Sequence, residues 1–293
     1  MILIAGTLPY QDFPLTFAPV KRDGNNLLAG EQYFPCTQGT SAMITAALTV
    51  TDYLKLPPPH VLVAGDIGDG RGTREMFAYL TDNITALQPE VLSLHYCLPI
   101  MTLMKRLCQT VARNGRKPFL IADAGAMYAA KAAKLAPMFD IFTPDPSEIA
   151  FLADPEATHP AYISRHLFAA DASRIPSQIE TACRNGDAAR LLIVKGAIDY
   201  IAMEGKILHA IREPDIPSLE PIGGTGDTIT GMVSALVYAG YKPVDAAVIA
   251  VRTNRAAGEM AQPTPATTVR EIVDRFPDVF RKNLAVWGSA PEK

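Results

Sequence analysis

Residues Ile222–Gly231 read Ile-Gly-Gly-Thr-Gly-Asp-Thr-Ile-Thr-Gly. Three glycines within four positions lead to an acid, Asp227, and the acid opens a helical pattern. Beyond it, Ile229, Met232, Val233, Leu236 and Val237 recur at helical spacing and make one apolar face. Gly240 and Pro243 close that helix. Bare backbone at a helix N-terminus is an anion site, because the first N–H groups have no helical partner and the positive end of the dipole lies there. Gly223, Gly224 and Gly226, with Thr225 between them, let a phosphate or a developing oxyanion approach those N–H groups without a Cβ in the way. A carboxylate beside an anion site is electrostatically unfavourable unless it takes a proton there, so Asp227 is a candidate base. The alternative is that Asp227 only caps the helix.

Other chemistry-bearing residues fall where strands are expected to end. Gly65-Asp-Ile-Gly-Asp-Gly-Arg-Gly follows an apolar run, and Gly65, Asp66, Gly68 and Asp69 could wrap a polar substrate and bond its hydroxyls. The alternative there is a flexible surface loop. Asp123-Ala-Gly follows a second run and joins the substrate-side candidates. Thr143-Pro-Asp-Pro-Ser-Glu148 places Asp145 and Glu148 three apart across a stiff turn, where two carboxylates could face magnesium directly or through water. The same spacing is also that of a capping box. Lys195-Gly196 could hold a nucleotide phosphate, or the lysine could simply be solvated. Asn254 and Arg255 interrupt an apolar helix and either enter a cleft, with Asn254 on the nucleotide, or mark the helix turning outward.

The elements that must position these groups alternate. Strands are predicted at Ile2–Ala5, Val61–Ala64, Val91–Leu94, Phe119–Ala122, Ile141–Thr143 and Leu191–Val194, with a hairpin at Tyr200–Met203 and Ile207–Ile211. Helices are predicted at Thr40–Tyr53, Thr73–Leu87, Ile100–Arg113, Ala126–Leu135, Ser147–Leu152, Ile175–Arg184, Asp227–Ala239, Val244–Gln262 and Val269–Lys282. This order predicts an α/β chain with a mostly parallel central sheet, helices on both faces and an antiparallel hairpin near one edge. Ligands of such sheets sit beyond the carboxyl ends of the strands, where the polar clusters converge. Gln11–Phe34 fits no regular period and is read as cover for part of the site; Ala153–Pro160 reads as a surface loop and Gly288–Lys293 as a frayed tail.

Composition limits the alternatives. A net charge of −3 from 27 basic and 30 acidic residues, well mixed, offers no basic face for nucleic acid or lipid. The opening Met1-Ile-Leu-Ile-Ala-Gly reads as a buried strand, and no window has the length and apolarity of a membrane span. The cysteines Cys36, Cys97, Cys108 and Cys183 form no paired motif, so neither a disulfide framework nor a zinc site is expected and a cytoplasmic setting follows.

In order, the glycine loop at a strand end, Asp-Ala-Gly, Thr-Pro-x-x-x-Glu, Val-Lys-Gly and Gly-Gly-Thr-Gly-Asp resemble the ribokinase-like superfamily. Within it the resemblance is greatest to the ADP/ATP-dependent NAD(P)H-hydrate dehydratases, also called carbohydrate-kinase-like. It runs over roughly residues 60–262 and is most specific in Gly223-Gly-Thr-Gly-Asp-Thr-Ile-Thr-Gly231. Thr143-Pro-Asp-Pro-Ser-Glu148 departs from the dehydratases' Thr-Pro-His-Pro-Gly-Glu and nears the kinases' Asn-x-x-Glu. The resemblance implies one three-layer, Rossmann-like domain over 1–293 that moves a phosphoryl group from ATP or ADP to a hydroxyl of a small molecule. Asp227 would be the base, Gly223–Gly226 the anion hole, and Glu148 with Asp145 the magnesium site. Dehydration of NAD(P)H hydrate at the same site is the alternative, and a non-catalytic nucleotide sensor a second one. A homo-oligomer is left open.

Overall fold

The computed structural model describes residues 1–157 and 172–288. The chain opens with β1 (Ile2–Leu8), β2 (Thr16–Asp23), β3 (Asn26–Ala29) and β4 (Gln32–Pro35), followed by α1 (Thr40–Tyr53), β5 (His60–Gly65) and α2 (Arg71–Leu87). Alternation continues through β6 (Val91–Leu94), α3 (Met101–Arg113), β7 (Phe119–Ala122), α4 (Gly125–Ala132), β8 (Ile141–Phe142), α5 (Pro146–Ala153) and α6 (Ile175–Arg184). After β9 (Leu191–Val194) come the hairpin β10 (Asp199–Met203) and β11 (Lys206–Ile211), then α7 (Thr225–Tyr238), α8 (Pro243–Ala261), α9 (Val269–Val273) and α10 (Phe276–Trp287).

All the strands join one sheet in the order β11-β10-β9-β8-β7-β6-β1-β5-β2-β3-β4. The central strands from β5 to β9 run parallel, and the flanking strands on both sides are antiparallel. The apolar runs bury both faces by simple alternation. Ile2, Ile4, Val61, Val63 and Ile193 pack on the side of α1, α7 and α8. Leu3, Ala5, Leu62, Leu92 and Val194 pack on the side of α2 to α6. Such two-sided burial is what a parallel sheet between helical layers requires.

The predicted sheet, its two helical layers and the edge hairpin are all present. The reading of Gln11–Phe34 as irregular is corrected: it holds three antiparallel strands, joined by two-residue turns between Asp23 and Asn26 and between Ala29 and Gln32. Each turn opens on a glycine, Gly24 or Gly30, with φ of 58°. The helix expected over Val269–Lys282 is two helices, because Pro277 stands in the first turn of α10 and cannot donate to the helix before it. The tail beyond Gly288 and the part of the Ala153–Pro160 loop beyond 157 lie outside the described residues. Among the described residues, no helix is long and apolar enough to cross a membrane.

Helix α1 packs directly on α7. A Cβ on Gly231 would run into the carbonyl oxygen of Met43, so glycine there lets the two backbones touch. The contact sets the start of α1, Gly39 and Thr40, against the start of α7, where the glycine motif lies.

Candidate active site

Helix α7 begins at Thr225, not at Asp227. Gly224 is its N-cap, with φ of 99° and no side chain to cap the helix. The N–H groups of Thr225, Gly226 and Asp227 have no protein acceptor among the described residues. The first turn is therefore an open row of donors at the positive end of the helix. Asp227, in that first turn, points its carboxylate away from its own helix. Oδ2 accepts from the Gly39 N–H at 2.8 Å and Oδ1 lies 3.1 Å from Nε2 of His95. The capping alternative for Asp227 does not hold.

His95 follows β6 and is fully buried. Its Nδ1 lies 3.1 Å from the Thr40 hydroxyl, which donates its single hydrogen to the Thr7 carbonyl at 2.8 Å. Thr40 must then accept from Nδ1–H. With Nε2 facing the carboxylates of Asp227 and Asp123, at 3.1 and 3.6 Å, the ring donates on both sides and is an imidazolium. Burial alone would depress its pKa; Asp123 and Asp227 outweigh that and raise it to about 9.

Asp123, after β7, lies below this pair. Lys195, after β9, holds both its oxygens at 3.0 and 2.9 Å, Thr230 of α7 donates at 2.6 Å, and the Ala124 N–H donates at 2.8 Å. Thr143, after β8, lies 2.9 Å from Thr230. The centre thus pairs two carboxylates with two cations. Burial alone would raise both acids, yet the cations hold Asp123 and Asp227 below the usual carboxylate range. Lys195 is correspondingly raised against its own burial. The negative charge of Asp227 is balanced by His95 and by Lys195, which also lies alongside Gly226. Every contributing strand ends on the same side of the sheet, as the parallel order requires.

Glu148 is buried and receives the Tyr128 hydroxyl at 2.8 Å and the Asp145 N–H at 2.8 Å. Asp145 Oδ1 in turn accepts from the N–H groups of Ser147 and Glu148 and the Ser147 hydroxyl. The capping box is real. Burial first, then the charges of Asp145 and Asp123, push Glu148 up to about 8. Each Glu148 oxygen keeps a second lone pair, and Asp145 Oδ2 has no donor among the described residues. This all-oxygen donor set fits a hard cation, and its crowded negative charge would be relieved by one. His95, Asp123 and Asp227 also bring ligand atoms within 4.8 Å of one another. A metal does not fit there, because both ring nitrogens of His95 are donors and Lys195 already neutralises Asp123.

The other predicted site residues separate. Asp66 is committed to its own loop: it accepts from the N–H groups of Gly68, Gly70 and Thr73 and from the Thr73 hydroxyl. Asp69 accepts from the Arg71 N–H, and Gly65 lies tight against the Tyr10 backbone. Asn254 is buried and accepts the Thr228 hydroxyl at 2.8 Å, bracing α7 from behind. Arg255, also buried, pairs with Asp199 at 2.6 Å and reaches the carbonyls of Gly196 and Ala197, so neither residue turns outward. The Gly196 N–H donates to Asp199. Sequence reasoning missed His95, Gly39, Thr40 and Tyr128. For His95 a signal existed: it stands directly after a predicted strand, as Asp123 and Lys195 do.

A family model described as NAD(P)H-hydrate dehydratase matches residues 97–276, taking in Asp123, Glu148, Lys195 and Asp227. The Methanocaldococcus jannaschii protein MJ1337 is 35% identical over 242 residues, 83% of this chain and 100% of that one. Two solved structures share the fold alone. The Staphylococcus aureus pyridoxal kinase in complex with ADP has a TM-score of 0.51 at 12% identity and covers 88% of each chain. The Escherichia coli phosphofructokinase-2 in complex with potassium has 0.53 at 13%, covering 96% of this chain and 99% of that one. The fold is ribokinase-like, and the chain belongs to the carbohydrate-kinase-like family described as NAD(P)H-hydrate dehydratase.

Proposed function

We propose that this protein transfers a phosphoryl group from ATP or ADP to a hydroxyl of a small molecule. One observation carries the reading: the open N–H row of Thr225–Asp227 stands beside a carboxylate that is fixed by two donors and turned off its own helix. A pure nucleotide binder has no use for that carboxylate. The N–H groups would stabilise charge on the transferring phosphoryl, and Asp227 would accept the hydroxyl proton as the bond forms. Gly39 and His95 keep both oxygens of Asp227 aimed, and each oxygen retains a lone pair for the proton. Lys195 adds positive charge beside Gly226 without carrying the proton. Glu148 with Asp145 would hold magnesium, through water, and magnesium would neutralise phosphate charge. Positioning and electrostatics supply most of the acceleration in such transfers.

The family match favours a second reading at the same site: NAD(P)H hydrate would be the acceptor, its phosphorylated hydroxyl then leaving as phosphate while the neighbouring carbon gives up a proton, which restores the double bond. The two structural neighbours, a pyridoxal kinase and a phosphofructokinase, differ in acceptor, so the fold does not choose. Incubation with ATP or ADP and an acceptor panel that includes NADH hydrate, followed by phosphorus NMR, tests both readings. A phosphorylated acceptor supports the kinase. Recovered NADH with free phosphate supports the dehydratase. Nucleotide binding without consumption on any acceptor leaves only a sensor.

A further inference from the structure

Arg255 of α8 commits its whole guanidinium to two loops. Its Nε–H donates to Asp199 Oδ2 at 2.6 Å. Nη1 donates to the carbonyls of Arg212 and Pro214, at 2.6 and 3.1 Å. Nη2 donates to those of Gly196 and Ala197, both at 2.9 Å. An arginine has five N–H donors, and these bonds use them all. Asp199 closes the circle, because its Oδ1 accepts the Gly196 N–H at 3.0 Å.

Each clamped segment leads to a group of the proposed phosphate site. Gly196 and Ala197 form the turn directly after Lys195, whose side chain lies alongside Gly226. Arg212 and Pro214 begin the stretch that ends at Gly223–Gly226. Helix α8 holds that stretch again one turn beyond Arg255. A Cβ on Gly258 would run into the Leu219 side chain, so glycine there lets Leu219 lie on the helix. From Leu219 the hold continues into α7: the Ile222 N–H donates to the Leu219 carbonyl at 3.0 Å, and the Thr225 hydroxyl to the Ile222 carbonyl at 3.2 Å. Gly196, Ala197 and Arg212 are exposed residues of surface loops, where water can serve a carbonyl. Apolar packing often replaces a buried ion pair at little cost. The fold therefore does not require this arginine to satisfy those carbonyls. What five directed bonds add is the position of one loop relative to the other.

Resting on the phosphotransfer reading, we infer that Arg255 is a positioning residue of the nucleotide site: it fixes the turn behind Lys195 against the lead-in to Gly223–Gly226, so that the lysine and the open N–H row of α7 are in place for one phosphate group before nucleotide arrives. Lys195 is anchored separately by Asp123, so loss of the clamp frees the loops and leaves the lysine's charge in place. Nucleotide would then have to order those loops as it binds, and that cost falls on affinity. Once nucleotide fills the site, the loops are ordered and the chemical step proceeds nearly as before.

Arg255→Lys tests this, because lysine keeps a cation beside Asp199 and cannot reproduce the fork of carbonyl bonds. Its Kd for ATP or ADP should rise about tenfold or more, while single-turnover transfer at saturating nucleotide falls by less than about threefold. In hydrogen exchange, residues 196–199 and 212–224 should both exchange faster in the free variant than in wild type, and nucleotide should slow both again. Unchanged affinity in a folded variant, a saturated rate that falls as far as affinity does, or faster exchange spread over the whole chain overturns the inference. If Arg255→Lys does not fold, Arg255→Met with Asp199→Leu removes both charges and carries the same expectations; failure of both to fold makes the pair a support of the fold and overturns the inference. Wild-type protein that binds neither nucleotide overturns the inference and the phosphotransfer reading together. Wild-type protein that binds nucleotide and phosphorylates no acceptor removes the phosphotransfer reading alone, and affinity and exchange still decide the role of Arg255.

Discussion

Nε2 of His95 lies 3.1 Å from Oδ1 of Asp227, and the other ring nitrogen is tied to Thr40, so Asp227 is held by a buried cation that is itself held. In the proposed transfer, the site would depend on the His95 proton as well as on the one that Asp227 accepts. The His95 pKa is raised from 6.5 to about 9. The stabilisation it brings is fully present below about pH 6.5 and is lost as pH rises through about 9. His95→Gln should keep a neutral donor and lose the charge. Its kcat should fall about tenfold to a hundredfold, an effect smaller than removal of the base. The alkaline fall in wild-type rate near pH 9 should be absent from the variant. A variant that keeps this limb would return His95 to a packing role.

Lys195 and Asp123 form the other half of the charge balance, with side chains only 11% and 2% exposed. Lys195→Met would leave a buried carboxylate without its partner and should cost roughly 3–5 kcal/mol of stability. Adding Asp123→Asn to it should recover part of the loss. Chemical denaturation of the single and double variants measures both, and a single variant as stable as wild type would mean that the pair is not a buried ion pair.

The glycines of the anion loop should separate by conformation. Gly224 has φ of 99°, and a Cβ there would meet Ala42 and Gln38 at 3.0 Å, so Gly224→Ala should lower stability by about 1 kcal/mol or more. At Gly226 a Cβ would find the Lys195 side chain at ordinary contact distances of 3.5–3.7 Å. Gly226→Val should therefore fold, while its branched side chain crowds the N–H groups and weakens nucleotide binding by about tenfold or more. Nucleotide titration decides the matter, and wild-type affinity in a folded Gly226→Val protein would move the phosphate site elsewhere.

Glu148 serves the helix cap, where glutamine also fits, and is the proposed magnesium residue. Its pKa rises from 4.5 to about 8, so the folded state holds a proton that the unfolded state has lost, and stability falls with rising pH across that window. Glu148→Gln should be at least as heat-stable as wild type at pH 8 and should need more magnesium for half-maximal rate. Superimposable magnesium curves would leave the residue as a cap alone.

The sequence made the layers legible because each central strand is an apolar run and each helix has a period. Thr40–Tyr53, Ile175–Arg184 and Val91–Leu94 carry the bounds read from the sequence. The strands β2 to β4 were hidden because β2 contains Pro19 and buries only Val20 deeply, so its alternation is weak. Asp227, Asp123, Lys195 and Glu148 were legible as strand-end or helix-start residues. His95 stands at a strand end too, but its role is not visible there, because its partners Thr40 and Asp227 lie 55 and 132 positions away and only the fold brings them together. Asp66 looked like a substrate residue because a sequence does not show that a carboxylate is consumed by its own loop.

Single-turnover transfer with Asp227→Asn, alongside nucleotide affinity measured on the same protein, tests whether Asp227 is the base beside an anion hole. Transfer should slow by about 10²–10⁴ while nucleotide affinity is kept or improved, since a negative charge beside the phosphate site has been removed. Transfer within threefold of wild type would mean that Asp227 is not the base.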